Sequence, residues 1–134
     1  MRIQEIEGIG PAQAAKLVAA GVATTDQLLV RGAKPGGRKG LADATGISPK
    51  LILEWVNHAD LWRIKGVGSE YSDLLEAAGV DSPAELAQRN AANLAITIQE
   101  LDAARPNVSR RLPSEQTIKG WIAQAKDLPR VVEH

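Results

Sequence analysis

The stretch "IEGIG" at residues 6–10 returns as "IKGVG" at residues 64–68, and this return constrains the fold more than any other feature. Ile6, Gly8, Gly10, Leu17, Gly21 and Leu28 map onto Ile64, Gly66, Gly68, Leu75, Gly79 and Leu86 with one constant offset of 58 and no gap. Such self-similarity marks a supersecondary unit used twice. A weaker repeat maps Ser48, Ile52 and Trp55 onto Ser114, Ile118 and Trp121 with an offset of 66, so the second half carries eight more residues before its last helix. We expect a single domain over residues 1–134, built from two related halves, 1–61 and 62–134.

The punctuation is helical. After Gly10, Ala14, Leu17, Val18 and Ala20 fall at helical spacing up to Gly21, a C-terminal glycine, and Ser72, Leu75, Ala78 and Gly79 repeat the pattern after Gly68. "DSPAEL" offers Ser82 as cap, Pro83 at the first helical position and Glu85 to complete a capping box. Ser48 before Pro49 and Ser114 before a fourth similar helix read as further caps. Few stretches alternate with period two, so the expected fold class is all-α and compact. Hydrophobic residues make up 44% of the chain but aromatics only 3%, with no Phe, so the core is to be built of Leu, Ile, Val and Ala.

Sixteen basic and sixteen acidic side chains cancel, so any polyanion site must be local. The absence of cysteine excludes disulfides and thiolate metal sites and fits a reducing compartment. The start "MRIQEIEGIG" has no apolar signal core, and nowhere do 18 apolar residues run together. These features predict a cytoplasmic protein without membrane contact.

A Gly-apolar-Gly turn ahead of a helix allows positive φ, keeps Cβ atoms away, and leaves the first helical amides able to hold an anion. Its middle residue, Ile9 or Val67, is expected to plug into the core. "GIGPAQAAKL" and "GVGSEYSDLL", each with a small residue four positions and an apolar residue seven positions after the second glycine, resemble the helix-hairpin-helix motif. That motif is shared by DNA ligases, repair glycosylases, Holliday-junction proteins and recombinase N-terminal domains. Over nearly the whole chain the pattern is similar to a prokaryotic family of unknown function, the DUF4332 helix-hairpin-helix proteins. The carrying segments are "EGIGPAQAAKLVAAGVATTDQLL", "GISPKLILEWVNHADLWRIKGVGSEYSDLLEAAGV" and "RRLPSEQTIKGWIAQAKDL". The resemblance implies a tandem helix-hairpin-helix domain that binds duplex nucleic acid by its backbone, without base readout. Carried over by position, the phosphate-facing amides belong to Gly8, Ile9, Gly10, Gly66, Val67, Gly68 and Ser69.

Charge divides the two turns. Glu5 and Glu7 precede the first, while Arg63 and Lys65 hold the same repeat positions before the second. Conversely, Lys16 follows the first, and Glu70, Asp73 and Glu76 follow the second. An alternative to nucleic-acid binding is therefore a protein-interaction scaffold, including head-to-tail self-association of an acidic mouth with a basic one.

Residues 31–40, "RGAKPGGRKG", hold four basic residues and no acid. Gly32 and Gly37 have the spacing of a phosphate-binding P-loop. However, Arg38-Lys39-Gly40 stands where Lys followed by Ser or Thr is needed, and no strand precedes it. A basic flexible loop carrying Arg31, Lys34, Arg38 and Lys39 beside a duplex is the functional reading, and an ordinary solvated connection is the bland one. Arg110 and Arg111 form a smaller basic pair with the same two readings.

Trp55 and Trp121 occupy equivalent positions and are expected in the core, whereas Trp62 and Tyr71 lack aromatic counterparts and are expected to fill the seam between halves. His58 and His134 lie far apart, and no His/carboxylate spacing suggests a metal. His58 reads as a solvated helix-end histidine; with Asp60 nearby, it could serve a nucleophile only if a serine came close. Neither an enzyme, a cofactor nor a small-molecule substrate is expected.

Overall fold

The computed structural model describes residues 1–6, 8–104 and 112–134. Among them, a single 3₁₀ turn, Ile3–Glu5, precedes eight helices: α1 Pro11–Ala19, α2 Thr25–Gly32, α3 Pro35–Thr45, α4 Pro49–Leu61, α5 Ser69–Ala77, α6 Pro83–Ala87, α7 Ala91–Ala103 and α8 Glu115–Asp127. The described residues contain no strand beyond one isolated antiparallel bridge, Arg2 with Thr24, so the fold is all-α.

Capping explains where most helices begin. Ser82 and Ser114 accept from the amides of Glu85 and Thr117, as their sequence positions suggest. Glu85 does not return a bond to its cap; its carboxylate turns to Arg89 one helical turn on. Ser48 stands at the N-cap of α4 without a side-chain bond. Thr24 and Gln27 form a reciprocal box on α2, and Asn90 caps α7.

The expected flexible loop at 31–40 is helical instead: α2 runs to Gly32 and α3 starts at Pro35. Proline at the first helical position needs no amide partner, and the glycines permit close packing. A Cβ on Gly32 would lie 2.4 Å from Val56 Cγ2, and one on Gly37 would lie 2.1 Å from the Arg31 carbonyl oxygen. These glycines serve the approach of α2 to α4 and to α3.

The offset of 58 reappears in the backbone. Gly8 and Gly66 have φ of +95° and +93°, and Gly21 and Gly79, closing α1 and α5, both have φ +90°. The second glycine of each turn differs from expectation: Gly10 and Gly68 are extended N-caps with φ of −80° and −107°. Ile9 and Val67 are buried. Trp55 of α4 and Trp121 of α8 are buried beneath the turns, with each indole Nε1 the nearest atom to the missing Cβ of Gly8 or Gly66.

Two apolar clusters result. One gathers Ile3 to Ala59 together with Val132, and the other gathers Leu61 to Ala125. Trp62 packs against both, and Tyr71 lies against Trp121 with ring centroids 5.2 Å apart. After α8 the chain returns to the first cluster. Val132 is buried there, Glu133 donates its amide to Ala33 O at 2.7 Å, and the His134 ring meets Asn57 Oδ1 at 2.9 Å.

The glycines separate into three behaviours that urea denaturation can distinguish. Gly66→Ala forces an L side chain to φ +93° and against Trp121 Nε1 at 3.2 Å, so it costs about 1–2 kcal/mol. Gly37→Ala costs about 1–3 kcal/mol by overpacking against backbone. Gly40→Ala, within α3 and facing open space, raises stability by about 0.5–1 kcal/mol. A neutral Gly37→Ala would show that α2 and α3 do not pack this closely in solution.

Candidate functional site

The glycine turns present helix starts that lack side-chain caps. Neither α1 nor α5 receives a cap bond from its N-cap glycine, in contrast to α2, α6, α7 and α8. Two candidate amides are already committed, since Ile9 N donates to Ile6 O at 3.2 Å and Val67 N donates to Ile64 O at 3.1 Å. With both side chains buried as well, Ile9 and Val67 face the core and hold the turns. Of the proposed amide donors, Gly8, Gly10, Gly66, Gly68 and Ser69 remain.

The second turn is the more firmly held. Gln124 of α8 accepts from Lys65 N at 2.9 Å and donates to Lys65 O at 3.3 Å, leaving the exposed Lys65 side chain beside Gly66. The first turn stands beside carboxylates. Gly8 and Trp55 line one wall of a cleft whose other residues include Glu54, Asp73 and Glu76. Glu5 takes the amide of Arg2 at 2.9 Å, and Glu7 lies outside the described residues.

The cationic candidates scatter. Arg38 is 6% exposed, donating to Gly32 O at 2.8 Å, to Ala33 O at 3.3 Å and, through its other terminal nitrogen, to Glu133 O at 2.8 Å. It ties α2 and α3 to the C-terminal segment and does not belong to a basic surface. Arg31 donates to Ala20 O, and Arg89, at the equivalent repeat position, donates to Gly79 O. Both arginines satisfy carbonyls at the end of the preceding helix. Arg63 pairs with Asp60 Oδ1 at 2.8 Å and donates to Pro129 O, which withdraws it from the second turn. Lys16, Lys34 and Lys39 are exposed on α1 and around the start of α3. Arg110 and Arg111 lie outside the described residues.

The cleft holds a grouping that sequence spacing did not reveal. His58 is buried rather than solvated; its Nδ1 lies 3.1 Å from Ser72 Oγ, and its Nε2 contacts Glu76 Oε2. Trp62 Nε1 donates to the same Ser72 oxygen at 2.8 Å. A serine does therefore come close to His58, but Ser72 is 0% exposed and forms part of an interior hydrogen-bond chain. The signals were present as Glu54/His58 and Asp73/Glu76, pairs one helical turn apart. They gain meaning only when α4 packs on α5.

A family model described as "Domain of unknown function (DUF4332)" matches residues 7–128. No curated protein and no solved structure matches the chain. No helix among the described residues is long and apolar enough to cross a membrane.

The Asp60–Arg63 pair carries a pH signature. Asp60 is buried near the end of α4, and burial raises its pKa above the usual 3.8 despite the opposing pull of Arg63. A carboxyl with a raised folded pKa contributes stability that is fully present below its unfolded value and is lost as pH rises through the folded one. Denaturant midpoints should therefore show Asp60→Asn with a flatter stability profile than wild type as pH rises from below 3.8. Equal slopes would place the carboxyl in contact with water. Arg38→Met, which removes three hydrogen bonds to carbonyls and leaves Ala33 O only its bond from Glu133 N, should cost about 1.5–3 kcal/mol in the same assay.

Proposed function

The chain belongs to the DUF4332 family, and from that premise we propose that it binds the backbone of duplex nucleic acid weakly, without base readout and without catalysis. The carrying observation is the repeated helix start without a side-chain cap, set behind a glycine of positive φ. In this reading the two units are helix-hairpin-helix elements. The second does most of the binding, through the amides of Gly66, Gly68 and Ser69 with the Lys65 ammonium beside them. Lys16, Lys34 and Lys39 add exposed charge elsewhere. The first turn, beside three carboxylates, is chiefly architectural.

Two or three phosphate contacts give a salt dependence that can be read directly. Anisotropy of a labelled random-sequence duplex should report binding that weakens about tenfold to fortyfold between about 50 and 200 mM salt. Lys65→Glu should remove most of it, and Gly8→Ala should matter only through stability. Salt-independent binding, or full binding by Lys65→Glu, would overturn the assignment to the second turn.

A second reading, self-association as a scaffold, has its own observation. Ala15 and Val18 on α1 stand at the repeat positions of Asp73 and Glu76, the α5 face that meets α4. On α1 that face lines an apolar groove with Ile9 and Pro11, and Val18 is 48% exposed. The last helix of another copy would meet α1 as α4 meets α5. Sedimentation that shifts with concentration, and no longer does so in Val18→Glu, would favour this reading; a monomer throughout would dismiss it.

A further inference from the structure

We propose that the cleft between α4 and α5 binds one divalent transition-metal ion through His58 Nε2 and the carboxylates of Asp73 and Glu76. One ligand atom from each residue lies within 4.8 Å of the others. Metal–ligand distances of about 2.0–2.2 Å place tetrahedral ligand atoms about 3.4 Å apart, so the Glu76 side chain, 36% exposed, must open its contact with His58 Nε2 to admit the ion between them.

The surroundings of His58 are those of a positioned ligand. Its side chain is 6% exposed, and its Nδ1 is held by Ser72 Oγ, which Trp62 Nε1 also holds. A hydroxyl oxygen has two lone pairs and can accept from both nitrogens. An ion that replaces the proton shared by Nε2 and Glu76 leaves the ring proton on Nδ1, donated to Ser72 Oγ, the arrangement in which an outer partner fixes a metal-binding imidazole. Glu54, one turn before His58, adds a third carboxylate, and no Lys or Arg is among the described residues lining the cleft. One imidazole with carboxylates suits Zn²⁺, Mn²⁺, Fe²⁺ or Co²⁺, whereas Mg²⁺ and Ca²⁺ prefer oxygen alone.

The site is independent of the nucleic-acid reading. Calorimetric titration of Zn²⁺ into the metal-stripped full chain should give one ion per chain, unaffected by excess Mg²⁺. Asp73→Asn and Glu76→Gln, which keep side-chain volume, should each weaken uptake tenfold or more, with melting of the metal-free variants reporting that the fold is retained. Co²⁺ loading should give visible absorption bands that Glu76→Gln alters. No saturable uptake at about 0.1 mM Zn²⁺, a concentration far above the dissociation constant of a working three-ligand site, would overturn the proposal. So would uptake that the Asp73→Asn, Glu76→Gln double variant leaves unchanged, since the ion would then sit elsewhere. A His58–Glu76 ion pair alone predicts the first of these results.

Discussion

Each half of the molecule is closed by an indole seated under a glycine. Trp55 reaches back along 47 residues to Gly8, and Trp121 reaches back along 55 residues to Gly66; a Cβ would lie 3.8 Å from the ring nitrogen at Gly8 and only 3.2 Å from it at Gly66. The contact joins the last helix of a half to the turn before its first helix. It requires positive φ at the glycine, which exposes the turn backbone while Ile9 or Val67 is driven inward. Buried apolar residues then gather around these contacts in two clusters. The exposed glycine turns are consequences of that closure, whatever they bind.

How far the sequence reveals this architecture depends on the range of the interaction. Gly8, Gly66, Trp55 and Trp121 were legible because a repeat compares distant positions directly and symmetry then assigns both copies. The seam position of Trp62 followed from its lack of a counterpart. Residues 31–40 misled because glycine-rich, basic composition locally resembles a loop. The helix exists because Gly32 and Gly37 face Val56 and the Arg31 carbonyl, contacts that no local pattern announces. Arg38 looked like a surface cation for the same reason. Its third acceptor, Glu133 O, is 95 residues away. His58 looked solvated because Ser72 and Glu76 come from the other half.

The repeat conserves backbone more strictly than chemistry, and the position of His58 shows how. With the offset of 66, its counterpart is Gln124, which grips the second glycine turn through both bonds of its amide to Lys65. An imidazole cannot make that paired donor and acceptor contact with one peptide group, because its two nitrogens point in divergent directions. In the first half the ring instead spans to α5, one nitrogen on Ser72 and the other at Glu76. The residue opposite Lys65 in the repeat is Glu7, and the residue opposite Glu54 is Gly120.

The same helix position thus serves the glycine turn in one half and the junction between halves in the other. The difference follows from neighbours. The face of α8 equivalent to the cleft wall carries Thr117, Gly120 and Gln124, with neither a carboxylate nor an imidazole. The acidic, histidine-bearing cleft therefore lies where α4 of one half meets α5 of the next. Divergence has left the second turn beside an exposed lysine and the first beside carboxylates, so two units of one backbone design present surfaces of opposite sign. A polyanion and a divalent cation would then use different surfaces of the same chain, one at the second glycine turn and one in the cleft where α4 meets α5.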